Sequence, residues 1–170
     1  EAEKKITKIS KKNILHLIGK LQTNKVKKAI KIFDLIQSVD TVKIAKKINE
    51  QCEIQNKKQA IYLQINTGND PNKQGFTADE IIDKALEIQK LKKIEIKGLM
   101  MIPPFIKMDS YYRSIYKKTN KIYKQIINEG INSCKDLSMG MSRDYQLAIE
   151  EGATHIRIGT ALFGERLINC

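Results

Sequence analysis

The chain of 170 residues is 41% apolar and 29% charged, the balance of a soluble globular protein long enough to bury one sizeable core. Its apolar runs fall short of the ~18 residues a membrane span needs, and no basic-then-apolar segment opens it, so neither a span nor a signal peptide is expected. Three scattered cysteines (Cys52, Cys134, Cys170) and two histidines in separate strands suggest neither a disulfide framework nor a zinc site, and fit a reducing cytoplasm.

Residues 1–10 read as the middle of a helix. Residues 14–19 (ILHLIG) predict a strand, and Asn24–Phe33 a helix with Val26, Ala29, Ile30 and Phe33 on one face. A second strand covers 35–39 (LIQSV). Asp40-Thr41 then opens a helix carrying Ala45, Ile48 and Cys52 on one stripe. Residues 60–66 (AIYLQIN) predict a third strand, closed by the turn residues 68–72. Thr77 and Glu80 have the spacing of a capping box, launching a helix to about Lys92. A fourth strand spans 94–102 and stops at Pro103-Pro104. A long helix from about Asp109 to Gly130 places Ile115, Thr119, Ile122 and Ile126 together. Residues 137–141 predict strand five, 143–151 a helix, and 155–158 strand six.

Six largely apolar strands, each followed by a helix, indicate a buried parallel sheet. An open doubly wound sheet would carry a Gly-rich fingerprint after its first strand, and none occurs. Polar and glycine residues instead cluster after every strand, as at the ligand face of a (β/α) barrel. The fold class expected is therefore α/β, one partial TIM-like barrel over residues 1–170. Eight strands close a small barrel, so the missing pair is expected before residue 1.

The net charge of +12 and a pI near 9.6 raise the possibility of a nucleic-acid partner. Only four of the 31 basic residues are arginine, and the lysines are scattered over helix faces without a stripe or interleaved aromatics. A solvated surface is the simpler reading, and a monomer without nucleic-acid or membrane partners is expected.

The sharpest chemical signal lies in the last two strands. Strand five runs into Met139-Gly140-Met141-Ser142-Arg143-Asp144, and strand six into Arg157-Ile158-Gly159-Thr160-Ala161. Barrels often bind phosphate with the loops after their last two strands. Ser142 offers a hydroxyl, while Gly159 and Thr160 offer backbone N–H groups. Taken alone, Ser142 reads as the N-cap of the helix at 143–151, and Gly159 as a strand-end turn. Arg157 is harder to dismiss, because a guanidinium in an apolar strand needs a partner and no acid lies nearby in sequence. His16 and Met139 read most simply as core residues, and Cys134 shows no base at useful spacing.

In order along the chain, HLIGKLQTNKVKKAI, IQSVDT, LQINTGNDPNKQGF, GLMMIPP and LSMGMSRDYQLAIEEGATHIRIGTALFGER resemble the pyridoxal-phosphate homeostasis proteins of the YggS/PROSC type. The resemblance covers nearly the whole chain. It implies a barrel of the alanine-racemase N-terminal type that binds pyridoxal 5′-phosphate, acts in vitamin B6 and amino-acid homeostasis, and has no catalytic residues or metal. It also implies that Arg157 faces the pyridine nitrogen and that Ser142, Gly159 and Thr160 hold the phosphate. His16 and Met139 are counted as further cofactor contacts. The family's Schiff-base lysine lies in a V-S-K-T/V-K-type motif on the first barrel strand, and these 170 residues contain no such motif. Lys20 and Lys73, in loops at the ligand face, are the conceivable substitutes. The rival readings are a racemase-like barrel enzyme acting on an amino acid or a phosphorylated substrate, and a basic RNA-binding module.

Overall fold

The computed structural model describes residues 13–106 and 108–164, so the predicted opening helix and Cys170 lie outside the described residues. Six strands form one parallel sheet in chain order: β1 (His16–Leu17), β2 (Leu35–Val39), β3 (Gln59–Ile65), β4 (Ile94–Met101), β5 (Asp136–Met141) and β6 (His155–Arg157). The connecting helices are α1 (Val26–Ile32), α2 (Val42–Ile54), α3 (Ile81–Gln89), α4 (Asp109–Asn128) and α5 (Tyr145–Glu150), and a short α6 (Thr160–Phe163) follows β6.

The sheet is strongly curled. In a flat sheet, six strands at ~4.8 Å spacing would hold β1 and β6 about 24 Å apart. Here the rings of His16 on β1 and His155 on β6 have centroids 6.3 Å apart. Gln37 of β2 also reaches Ser138 of β5 directly. The sheet is a half-barrel, with helices on its convex side and a concave interior lined by alternate residues of each strand.

The main core lies between sheet and helices. Ile36, Val39, Ile61, Leu63, Leu99, Leu137 and Met139 point outward into it. They meet Val26, Ala29 and Ile30 of α1, Ile44, Ala45, Ile48 and Cys52 of α2, and Ile115, Ile122 and Ile126 of α4. These helical residues recur at three- and four-residue spacing, which puts them on one face. Burial raises the Cys134 thiol to about 12, so it stays protonated and unreactive. A smaller cluster of Leu35, Tyr62 and Met100 fills the floor of the concave side.

Local chemistry fixes the joints. Thr77 N–H donates to Glu80 Oε1 at 2.9 Å and Glu80 N–H to Thr77 Oγ1 at 3.3 Å, the reciprocal pair of a capping box. Thr41 caps α2 by accepting from Ile44 N–H. At Gly98 the backbones of β4 and β5 approach so closely that a Cβ would lie 2.1 Å from the Asp136 carbonyl oxygen.

Two expected boundaries are corrected. The first strand has two ladder residues rather than six: at its start Leu15 N–H donates to the Asp34 carboxylate (2.8 Å), and past its end the Gly19 carbonyl is taken by the Ser38 hydroxyl (2.7 Å). The helix expected from 143 starts at Tyr145, after a turn made by residues 142–144.

Candidate functional site

Side chains on the concave face alternate with those in the core, and the strand pattern therefore decides which polar groups meet. Arg157, at the end of β6, turns inward. Its guanidinium donates to Ser138 Oγ at 2.7 Å and to the Met101 carbonyl at 2.7 Å. Both acceptors are neutral, and among the described residues Arg157 forms no ion pair. Burial is the main influence on it and lowers its pKa to about 10, so it keeps its charge at neutral pH. A half-buried cation hydrogen-bonded only to neutral acceptors is well suited to a ligand that offers a lone pair.

Two residues after Arg157 the chain meets the loop that follows β5. Gly159 N–H and Ala161 N–H both donate to Ser142 Oγ, at 3.1 and 3.2 Å. A Cβ built at Gly159 meets nothing within 4 Å, so one side of this loop is open. Two amides and a hydroxyl converging beside open space can cradle an anion. Thr160, expected to lend its amide, stands exposed at the start of α6, and the second converging amide belongs to Ala161.

The turn beneath Ser142 is held by Asp144. Its Oδ1 accepts from Met141 N–H at 2.5 Å and its Oδ2 from the Tyr116 hydroxyl of α4 at 2.9 Å. Asp144, not Ser142, precedes the first residue of α5. The capping role open to Ser142 on sequence grounds is therefore not the one it plays. Burial and the facing Asp144 raise Tyr116 well above the usual phenol range, which keeps it a donor. Arg143 lies over the Phe105 ring, 4.8 Å from its centroid, and ties this turn to the loop after β4.

The structure brings Ser142, Arg157 and Gly159 to one rim of the sheet. His16 joins them through the interior, its Nδ1 2.9 Å from Gln37 Nε2, and Gln37 in turn contacts Ser138. Met139 is a correction: it is fully buried among the helix-facing residues, because strand alternation turns it away from its neighbour Ser138. Gln37 and Ser138 were missed, although a polar side chain inside LIQSV and LSMGM, two strands buried on both faces, was the available signal. Of the two loop lysines, Lys20 is exposed and Lys73 half-buried. With the Gln74 amide donating to Asp40 Oδ2 (3.3 Å), its oxygen faces the Lys20 ammonium.

Residues 1–167 match the family described as alanine racemase, N-terminal domain. The pyridoxal phosphate homeostasis protein of Aquifex aeolicus is 36% identical over 151 residues, covering 89% of this chain and 66% of that protein. Its counterpart in Synechocystis is 40% identical over 152 residues, covering 89% and 70%. The chain thus spans about two thirds of the length of the curated relatives it matches. Among solved structures, PipY of Synechococcus elongatus with PLP bound superposes with a TM-score of 0.86 at 30% identity, covering 95% of this chain and 75% of PipY. Alanine racemase of Clostridium difficile, at 18% identity and a TM-score of 0.72 over 92% of this chain and 41% of that one, shares the fold. The concave parallel half-barrel, the matched family and these relatives agree: the chain belongs to the pyridoxal phosphate homeostasis protein family.

Proposed function

We propose that this chain binds pyridoxal 5′-phosphate at the rim formed by β5 and β6, and serves in cofactor homeostasis without turning over a substrate. The observation that carries the reading is the half-buried Arg157 guanidinium, hydrogen-bonded to neutral acceptors, next to the convergence of the Gly159 and Ala161 amides on Ser142. The residues fit the two ends of the cofactor. Ser142 and the amides of the 159–161 segment, Thr160 included, would hold the phosphate, and Arg157 would hold the ring nitrogen. Pyridoxal phosphate, when bound, supplies an aldehyde that condenses with amines and a ring that withdraws electrons. A donor-only arginine at the ring nitrogen disfavours its protonation and so weakens that withdrawal, which suits carriage better than catalysis. His16 acts at one remove, through Gln37 and Ser138.

The test is a pair of titrations, pyridoxal phosphate and inorganic phosphate, on wild type and Arg157→Ala. Losing hydrogen bonds from a charged donor costs about 1.5–3 kcal/mol, or roughly 10- to 100-fold in pyridoxal phosphate affinity. Phosphate affinity should change far less. Equal loss for both ligands would remove Arg157 from the ring, and no binding of either would remove the reading itself.

A further inference from the structure

Arginine can only donate hydrogen bonds, and that fixes the direction of a chain running through the interior. Arg157 donates to Ser138 Oγ at 2.7 Å, and the Ser138 hydroxyl donates to Gln37 Oε1 at 2.8 Å. With its oxygen so engaged, Gln37 points its amide nitrogen at His16 Nδ1, 2.9 Å away. An amide nitrogen also only donates, so Nδ1 must accept. His16 is then neutral, with its proton on Nε2.

We propose that Ser138, Gln37 and His16 are positioning residues for Arg157: the chain holds the guanidinium in one pose while His16 is neutral and lets it go when His16 gains a proton. The ligand consequence rests on the pyridoxal phosphate reading above, but the chain of bonds does not. A proton on Nδ1 sets a donor against the Gln37 NH₂. Turning the amide over relieves that clash but brings its nitrogen to Ser138. The Ser138 hydroxyl would then accept from both Arg157 and Gln37, leaving its own proton without a partner at a site with no solvent exposure. Either arrangement weakens the hold on Arg157.

The surroundings of His16 favour the neutral form. His155 faces it from β6, Asp34 from the turn before β2 and Asp136 from β5. Tyr62 of β3 lies edge-on to His155 and donates to Asp136 Oδ2 at 2.9 Å, which occupies part of that carboxylate. Burial first and His155 second hold His16 below 6.5, against the pull of the two aspartates.

The experiment uses nitrogen-15-labelled full chain, with pyridoxal phosphate and inorganic phosphate as probes. At pH 8 the His16 ring should be the Nε2–H tautomer. The slowly exchanging Arg157 side-chain N–H signals should be sharp there and should be lost as His16 titrates. In Gln37→Glu, a carboxylate accepts from both neighbours, so the His16 midpoint should rise by about one pH unit or more. Ser138→Ala should weaken pyridoxal phosphate about tenfold and phosphate less than about twofold. Between pH 8 and 5.5, wild type should lose about tenfold more affinity for pyridoxal phosphate than His16→Gln does. The ligand's own phosphate titrates identically in both proteins, so their ratio isolates the chain. An Nδ1–H tautomer at pH 8, an unmoved midpoint in Gln37→Glu, or Arg157 signals indifferent to His16 would each overturn the proposal. Absence of pyridoxal phosphate binding at every pH, with the tautomer and the Arg157 signals as expected, would sink the cofactor reading and leave the chain standing.

Discussion

Tyr116→Phe probes how the long helix α4 supports the Ser142 turn. The ring is fully buried and stacked on Tyr112 at 6.3 Å between centroids. Phenylalanine keeps that packing and opens no cavity. What is lost is the hydroxyl that donates to Asp144 Oδ2 at 2.9 Å. Asp144 is only 6% exposed, so its oxygen is left without a donor and with little water to replace it. Leaving a buried acceptor unmet costs about 1–3 kcal/mol, more when it is charged. At ~2–4 °C per kcal/mol for a domain of this size, a loss near 2 kcal/mol lowers Tm by about 4–8 °C. The second effect is local: Asp144 also holds Met141 N–H, so the turn under Ser142 loosens and phosphate affinity falls. Thermal unfolding and phosphate titration of Tyr116→Phe, Asp144→Ala and the double variant form a cycle that should show about 1–2 kcal/mol of coupling. A Tm within 1 °C of wild type, or additive single losses, would refute the argument.

Gly98→Ala should destabilise by about 3 kcal/mol or more in urea unfolding, since its Cβ would stand 2.1 Å from the Asp136 carbonyl oxygen, and a neutral result would mean the strands separate freely there. Met139→Ala should cost about 2–5 kcal/mol of stability while leaving pyridoxal phosphate affinity unchanged, and an affinity loss would return Met139 to the site. Burial raises the Asp40 carboxyl above its ordinary 3.8, so the folded state binds its proton more tightly than the unfolded chain does. Stability from this group is present below pH 3.8 and lost as pH rises through the folded value. Asp40→Asn should therefore raise Tm at pH 7, with a smaller gain near pH 4, and a lower Tm at pH 7 would contradict the assignment.

The order of strands and helices was legible because each element repeats a simple period. The α4 stripe Ile115, Thr119, Ile122 and Ile126 was read from spacing alone, and all four are buried. Arg157 stood out because one charge interrupts an apolar strand. The partners of that charge were not legible. His16 to Gln37 and Ser138 to Arg157 join neighbouring strands across 21 and 19 residues, but the 101-residue step from Gln37 to Ser138 is closed only by the curl of the sheet. The cap reading open to Ser142 fails for a related reason. A serine before a helix looks like a cap until the structure shows an aspartate two residues later at the helix start. Met139 failed on parity, one residue out of phase with the strand's inward face.

Among the described residues, the two outermost strands set how much free backbone the margins of the sheet present. An edge strand exposes free backbone groups that can template the addition of a foreign strand. Among the described residues β1 offers two positions and β6 three, while the strands between them run to eight. An intruding strand would gain only a few ladder bonds at either edge, too few to offset the order it must adopt. Among the described residues, then, the margins of this long-stranded sheet offer a foreign strand little ladder to bind, even where Ile14, Ile18 and Ile156 are exposed.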